Sequence, residues 1–267
     1  MFENSEQDIA AIKINLQNLL AYKRDFIITL LLGISTSVLM IFLWTAVYSN
    51  SHATTIGGFS LQLMYTYFFM VGGIFSLANT DIDTRLGEDI EEGNIAASLL
   101  RPINYLKQLA MGSVADRIVG GIAITLPLIV IVMVFMHVSF TPINVLLFFL
   151  EVFVGAIVID LIGFLIGTLA VYITEIWAVS STAWTIMYLT GGGIMPLNLL
   201  PPIIKGIVFL LPFQLFAYLP TITLLGLATN AMIINGLIIG TIWAAVLVIF
   251  SYFWWHRIRK DLTSVGG

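Results

Sequence analysis

The sequence predicts an all-α integral membrane protein with six transmembrane helices. An amphipathic interfacial helix precedes them, and two short external re-entrant helices precede the last crossing. Three observations predict this class. First, hydrophobic residues make up 59% of the 267 residues and charged residues only 10%. The mean hydropathy of +1.02 is more apolar than a soluble core of this length requires. Second, every Lys and Arg except Lys205 falls in one of three stretches. Lys13, Lys23 and Arg24 form the first, Arg85, Arg101, Lys107 and Arg117 the second, and Arg257, Arg259 and Lys260 the third. Third, the blocks between them are apolar over about 20 residues or more, the helical length that crosses a hydrocarbon core. Positive residues gather on the cytoplasmic side, so both termini and one large polar loop are expected there, with an even number of crossings. The net charge of -4 adds nothing, because orientation follows Lys and Arg rather than net charge. With no cysteine, disulfides, thiol chemistry and Cys-based metal sites are excluded.

Residues 1–25 are polar and charged, unlike a cleavable signal peptide. Ser5-Glu6-Gln7-Asp8 resembles a capping box, and Ile12, Leu16 and Leu19 follow at helical spacing, which predicts an amphipathic helix on the cytoplasmic membrane surface. The first crossing is expected over 26–48, ending at the interfacial aromatics Trp44 and Tyr48. The second covers 58–78, the third 114–136 with Pro127 inside it, and the fourth 143–172. A turn over Tyr172–Trp177 leads to the fifth, 178–195, and the sixth covers 231–255. Residues 196–228 are apolar but broken by Pro196, Pro201, Pro202, Pro212 and Pro220. A straight spanning helix does not carry that many breaks, so two short helices dipping into the outer leaflet are expected, with Lys205 at the outer headgroups. Gly163-x-x-x-Gly167, Gly236-x-x-x-Gly240 and the run Gly191-Gly192-Gly193 suit close helix approach or bending.

The polar loop over 79–113 is longer than a connection between two helices needs. Asp81, Asp83, Glu88, Asp89, Glu91 and Glu92 stand there among Arg85, Arg101 and Lys107. Such an acidic and apolar surface suits docking of a soluble partner, with Ile90, Ile95 and Leu99 as anchors. The plainer reading is a solvated loop whose charges only keep it in water.

Two segments of this loop carry a family resemblance. Asp89-Ile90-Glu91-Glu92-Gly93-Asn94, followed by Leu99-Leu100-Arg101-Pro102-Ile103-Asn104, resembles the loop between the second and third membrane helices of ABC-2 type permeases. The proline-broken run with Leu211-Pro212-Phe213 and Tyr218-Leu219-Pro220 is similar to that family's external re-entrant helices. The helix count and the amphipathic first helix match as well, so the resemblance covers nearly the whole chain. It implies a transmembrane domain over 26–267 that forms half of an exporter's path in a prokaryotic plasma membrane. It also implies coupling to a separate ABC ATPase through a helix in the loop, with docking on Glu88, Asp89, Ile90, Glu92, Asn94, Leu100 and Arg101. Two ATPase copies and a second permease, identical or paralogous, are the implied partners, and ATP and Mg would sit on the ATPase. This chain has no G-x-x-x-x-G-K-[ST] phosphate loop, and no catalytic or metal-binding set is expected in it.

Glu151 and Asp160 fall inside the fourth crossing. Ionisable groups at that depth are costly and mark functional positions. Nine residues at about 100° each put them on opposite helix faces, so they are not a paired acid and base. Each is a candidate for the substrate path or, alternatively, a carboxyl that holds helices together. A self-sufficient secondary transporter or channel is the competing reading, but it predicts internal repeats and more polar groups at mid-depth.

Overall fold

The computed structural model describes residues 23–78, 80–95 and 105–265. The amphipathic helix expected over 1–25 lies outside these apart from its last three residues. Helix α1 (Lys23–Ser51) leads into a two-stranded hairpin, β1 (Thr55–Ile56) and β2 (Phe59–Ser60), with Ile56 opposite Phe59. Next come α2 (Leu61–Ala78) and α3 (Ile82–Glu91). A long helix then passes through α4 (Tyr105–Gly120), a π-helical segment (Gly121–Thr125) and α5 (Leu126–Phe135). α6 (Pro142–Gly167) tightens into a 3-10 turn over Thr168–Val171, and α7 spans Ile176–Thr190. Two short helices, α8 (Pro202–Leu210) and α9 (Tyr218–Leu224), precede the long α10 (Asn230–Val265).

Among the described residues, four helical stretches are long and apolar enough to cross a membrane: Leu61–Glu91, Tyr105–Phe135, Pro142–Val171 and Asn230–Ile258. Each has 29 to 31 residues; the last three amount to about 45 Å of helix at 1.5 Å per residue, against a core of about 30 Å, while the first is divided into α2 and α3. Three of them carry exposed apolar side chains, among them Ile122, Phe135, Leu146, Phe153 and Phe253, and Phe42 of α1 is exposed as well, a surface suited to lipid.

Two boundaries differ from expectation, and Pro127 falls inside the helix as expected. The helix expected to begin at 114 is already formed at Tyr105, the first described residue after 95, because Tyr105 and Leu109 pack with Ile82, Leu86, Phe164 and Trp255 and extend the helix into the polar loop. Pro127 sits in the first turn of α5, directly after the π segment. A missing N–H is tolerated there because the hydrogen-bond register has just shifted. The fifth helix stops at Thr190 instead of continuing to 195. Gly192 takes φ +94°, and its neighbours crowd it: Tyr218 N donates to Gly191 O at 2.9 Å and the Tyr67 hydroxyl donates to Gly192 O at 2.8 Å. A Cβ at 192 would lie 2.7 Å from that hydroxyl, so the glycine run ends the helix and admits two tyrosines. With 15 residues, α7 is about 22 Å long.

The segment between Gly193 and α10 folds as short pieces, as its prolines require. Every residue of α9 is buried, with Leu219 set against Gly236 of α10 and Leu215, in the turn before α9, set against Gly240. α8 is its opposite, with Ile203 at 81% and Leu210 at 68% exposure.

In the other glycine pair of the same spacing, Gly167 seats α3. A Cβ at Gly167 would lie 2.8 Å from Asp83 O and 2.9 Å from Leu86 Cβ, whereas a Cβ at Gly163 meets nothing nearer than 3.5 Å. Gly167→Ala is therefore expected to destabilise the protein by about 1–3 kcal/mol through overpacking, while Gly163→Ala stays close to wild type. Thermal unfolding in detergent distinguishes them, and equal midpoints for the two variants would contradict this seating.

Candidate functional site

α3 has two faces because its apolar and small residues recur at helical spacing. Ile82, Asp83, Leu86 and Gly87 are buried against three elements. Gly87 lies so close to α7 that a Cβ there would come within 2.6 Å of Ile176 Cγ2. Asp83, 1% exposed, accepts from Trp184 Nε1 of α7 at 3.0 Å. Glu91 Oε1 accepts from Ile176 N at 3.2 Å, which places a carboxylate at the positive end of the α7 dipole. On the α4 side, Tyr105 donates to Asp89 Oδ2 at 2.6 Å. Arg85 pairs with Asp116 at 2.8 Å, a charge contact rather than an aligned hydrogen bond.

The docking residues expected from the sequence divide accordingly. Glu88, Glu92 and Asn94 are exposed, with Asn94 Nδ2 donating to Glu92 Oε2 at 2.7 Å. Asp89 is half-buried and engaged by Tyr105. Ile90 is half-buried against the cluster of Ile82, Leu86 and Phe164, and Ile95 is 3% exposed, so both anchors turn inward. Leu99, Leu100 and Arg101 lie outside the described residues.

A second polar centre lies deeper. Asp160 of α6 is gripped by Arg117 of α4 through both carboxylate oxygens, Nη2 to Oδ1 at 2.6 Å and Nη1 to Oδ2 at 2.8 Å. Arg117 Nε also donates to Leu77 O of α2 at 3.0 Å. Ser113 accepts from Arg117 Nη1 at 2.8 Å and donates to Asp160 Oδ2 at 2.9 Å. Such a two-pronged guanidinium–carboxylate pair fixes angle as well as distance. Counted along the helices, Asp160 is about 16 Å from Val171 and Arg117 about 18 Å from Tyr105. Asp160 borders two apolar cavities: one of about 270 Å³ walled by Leu109, Phe164 and Trp255, and one of about 670 Å³ walled by Ile118, Ile122, Phe149 and Phe153.

Glu151 faces a different neighbour, as its spacing from Asp160 predicts. It is fully buried; its Oε1 accepts from Thr223 of α9 at 2.9 Å, and its Oε2 has no partner. Sequence reading assigned Arg117 to the cytoplasmic positive stretch and missed it as Asp160's partner. The available signal was its place three residues inside the expected third crossing, one helical turn after Ser113. Among the described residues no three His, Asp or Glu side chains converge on a metal site.

The fold and these centres define a helical multi-pass membrane protein with one amphipathic helix clamped to the ends of its spans. The family described as ABC-2 family transporter protein matches residues 34–266; the chain belongs to this family and is a permease subunit of an ABC transporter. No curated protein matches it.

Removing one member of the deep pair leaves the other charged and without its counter-ion. Arg117→Leu or Asp160→Leu is expected to cost about 3–5 kcal/mol, and the double replacement markedly less than the sum. A double-mutant cycle on thermal unfolding measures this, and strictly additive losses would show that the two side chains do not interact.

Proposed function

We propose that this permease forms half of an export path and is driven by a separate ABC ATPase that docks on α3 and the rest of the 79–113 loop. The observation that carries this reading is the two-faced character of α3. Its inner face is fastened to α4, α6 and α7 by buried contacts, while Glu88, Glu92 and Asn94 stay in the open. A helix held this way passes an applied displacement to three others instead of absorbing it. Closure of two ATPase subunits on ATP would push α3, and α4, α6 and α7 would follow as a unit.

In this reading Glu88, Asp89, Ile90, Glu92, Asn94, Leu100 and Arg101 form the docking surface. Asp89 and Ile90 contribute by holding the helix in place. ATP and Mg belong to the ATPase, and two ATPase copies serve two permeases, identical or paralogous. α1 and α7 join the four long stretches to give six crossings, with both termini on the cytoplasmic side of a prokaryotic plasma membrane. α8 and α9 occupy the outer leaflet. For Asp160, the grip of Arg117 and Ser113 supports a role as a tie between helices beside the path rather than a ligand for cargo. Glu151, fully buried and bonded to Thr223 of α9, fits the alternative role of a carboxyl that holds helices together.

The test is co-purification from native membranes in mild detergent. Glu92→Lys is expected to weaken retention of the ATPase by roughly tenfold or more, the scale of one lost interfacial hot spot. The variant should insert and unfold like wild type, since the side chain is exposed. Undiminished retention would refute docking on α3. Purification of a functional transporter with no ATPase would favour a self-sufficient secondary transporter.

A further inference from the structure

At the end of the bundle opposite α3 lies a cavity of about 420 Å³ between the β1–β2 turn, α8, α9 and α10. Phe59, Leu63, Phe209 and Ile222 give it apolar walls, and Lys205, Asn198 and Tyr218 are its polar side chains. The eighteen residues of α2, about 27 Å of helix, separate it from α3. Lys205 is the only Lys or Arg between Arg117 and Arg257. It is half-buried, lies over the Phe209 ring at 5.8 Å, and pairs with no carboxylate among the described residues. Asn198 Nδ2 donates to Gly57 O at 2.7 Å, which fixes the amide, and its Oδ1 is buried with no partner.

We propose that this cavity binds an amphiphile with an anionic, hydroxyl-bearing head. A half-buried ammonium without a counter-ion calls for an anion such as a phosphate. An orphaned amide oxygen calls for a hydrogen-bond donor, which a hydroxyl beside that phosphate supplies. The apolar walls of Phe59, Leu63, Phe209 and Ile222 take the tail. The volume falls in the range of about 300–1,000 Å³ typical of ligand sites. A membrane phospholipid and an anionic amphiphilic cargo share this chemistry. Only the outward orientation of the site rests on the exporter reading, and binding is measured without an ATPase, so either idea can fail alone.

The experiment titrates the delipidated full-length protein in a non-ionic detergent with short-chain phosphatidylglycerol, short-chain phosphatidylcholine and glycerol phosphate, following thermal stabilisation. Saturable binding of phosphatidylglycerol is expected, with at least about tenfold preference over phosphatidylcholine, whose head lacks both net charge and hydroxyl. Lys205→Gln should weaken it by a similar factor and Lys205→Arg should retain it. Equal binding of the two lipids, or equal binding by Lys205→Gln and wild type, would overturn the proposal. So would glycerol phosphate binding as tightly as the lipid, since the walls would then contribute nothing. Raising salt must weaken binding to the wild-type protein, a check that needs no variant, and salt-independent affinity would also count against it. Lipid mass spectrometry after purification separates the sources. Loss of anionic lipid from Lys205→Gln identifies a membrane lipid, and an unchanged lipid profile with weakened titration identifies cargo.

Discussion

The architecture depends on how closely α3 approaches α6. Gly167 leaves one face of α6 without a side chain, and the backbone of Asp83 and the Leu86 side chain fill the space. That proximity sets the position of everything else on α3. Asp83 comes within reach of Trp184, Gly87 slides under Ile176, and Glu91 meets the first amide of α7. A bulkier α6 would push the helix outward and break these contacts together, because they share one rigid body. Packed interiors respond to such changes in discrete steps rather than by smooth deformation. The same stiffness lets a short amphipathic helix act as a lever.

The Arg117–Asp160 pair extends this logic into the bundle. One guanidinium joins α2 through Leu77, α4 through Ser113 and α6 through Asp160. Desolvating two charges is expensive, so the pair is weak evidence for net stability. Its value lies in geometry: a forked contact tolerates little sliding of α4 against α6. Apolar cavities on either side of Asp160 leave these two helices fewer other contacts at that level, which concentrates the constraint in the pair.

Much of this was legible in the sequence. Positive-residue clusters and apolar blocks mark the long helices, and the prolines of 196–228 require short pieces. The acidic loop announces an unusual element between the second and third spans, and the family assignment agrees with the motifs read there. What escaped was whatever depends on partners distant in the chain. Ile90 and Ile95 look like interface anchors in isolation, yet they meet Leu86, Tyr105 and Phe164, residues that local patterns cannot bring to them. Arg117 looks like one more cytoplasmic charge until α6 supplies Asp160. The third crossing seemed to start at 114 because hydropathy falls there, whereas tertiary packing of Leu109 belongs to a helix already formed at Tyr105. Likewise the glycine run reads as close packing or a bend within a helix, and the stop emerges only when Tyr67 and Tyr218 are seen to claim its carbonyls.

The π segment at Gly121–Thr125 makes the long helix unequal along its length. A π turn holds one residue more than the α-helical ring it replaces, so the surplus is stored within five positions. Deleting one residue there lets the backbone close as ordinary α-helix, with α4 and α5 keeping their facing sides. The same deletion anywhere else in Tyr105–Phe135 turns everything beyond it by about 100°, carrying Arg117 away from Asp160 or Leu128 out of the core. Natural variation in the length of this span should therefore gather at a single address, beside Thr125, whose hydroxyl donates to Gly73 O at 2.6 Å.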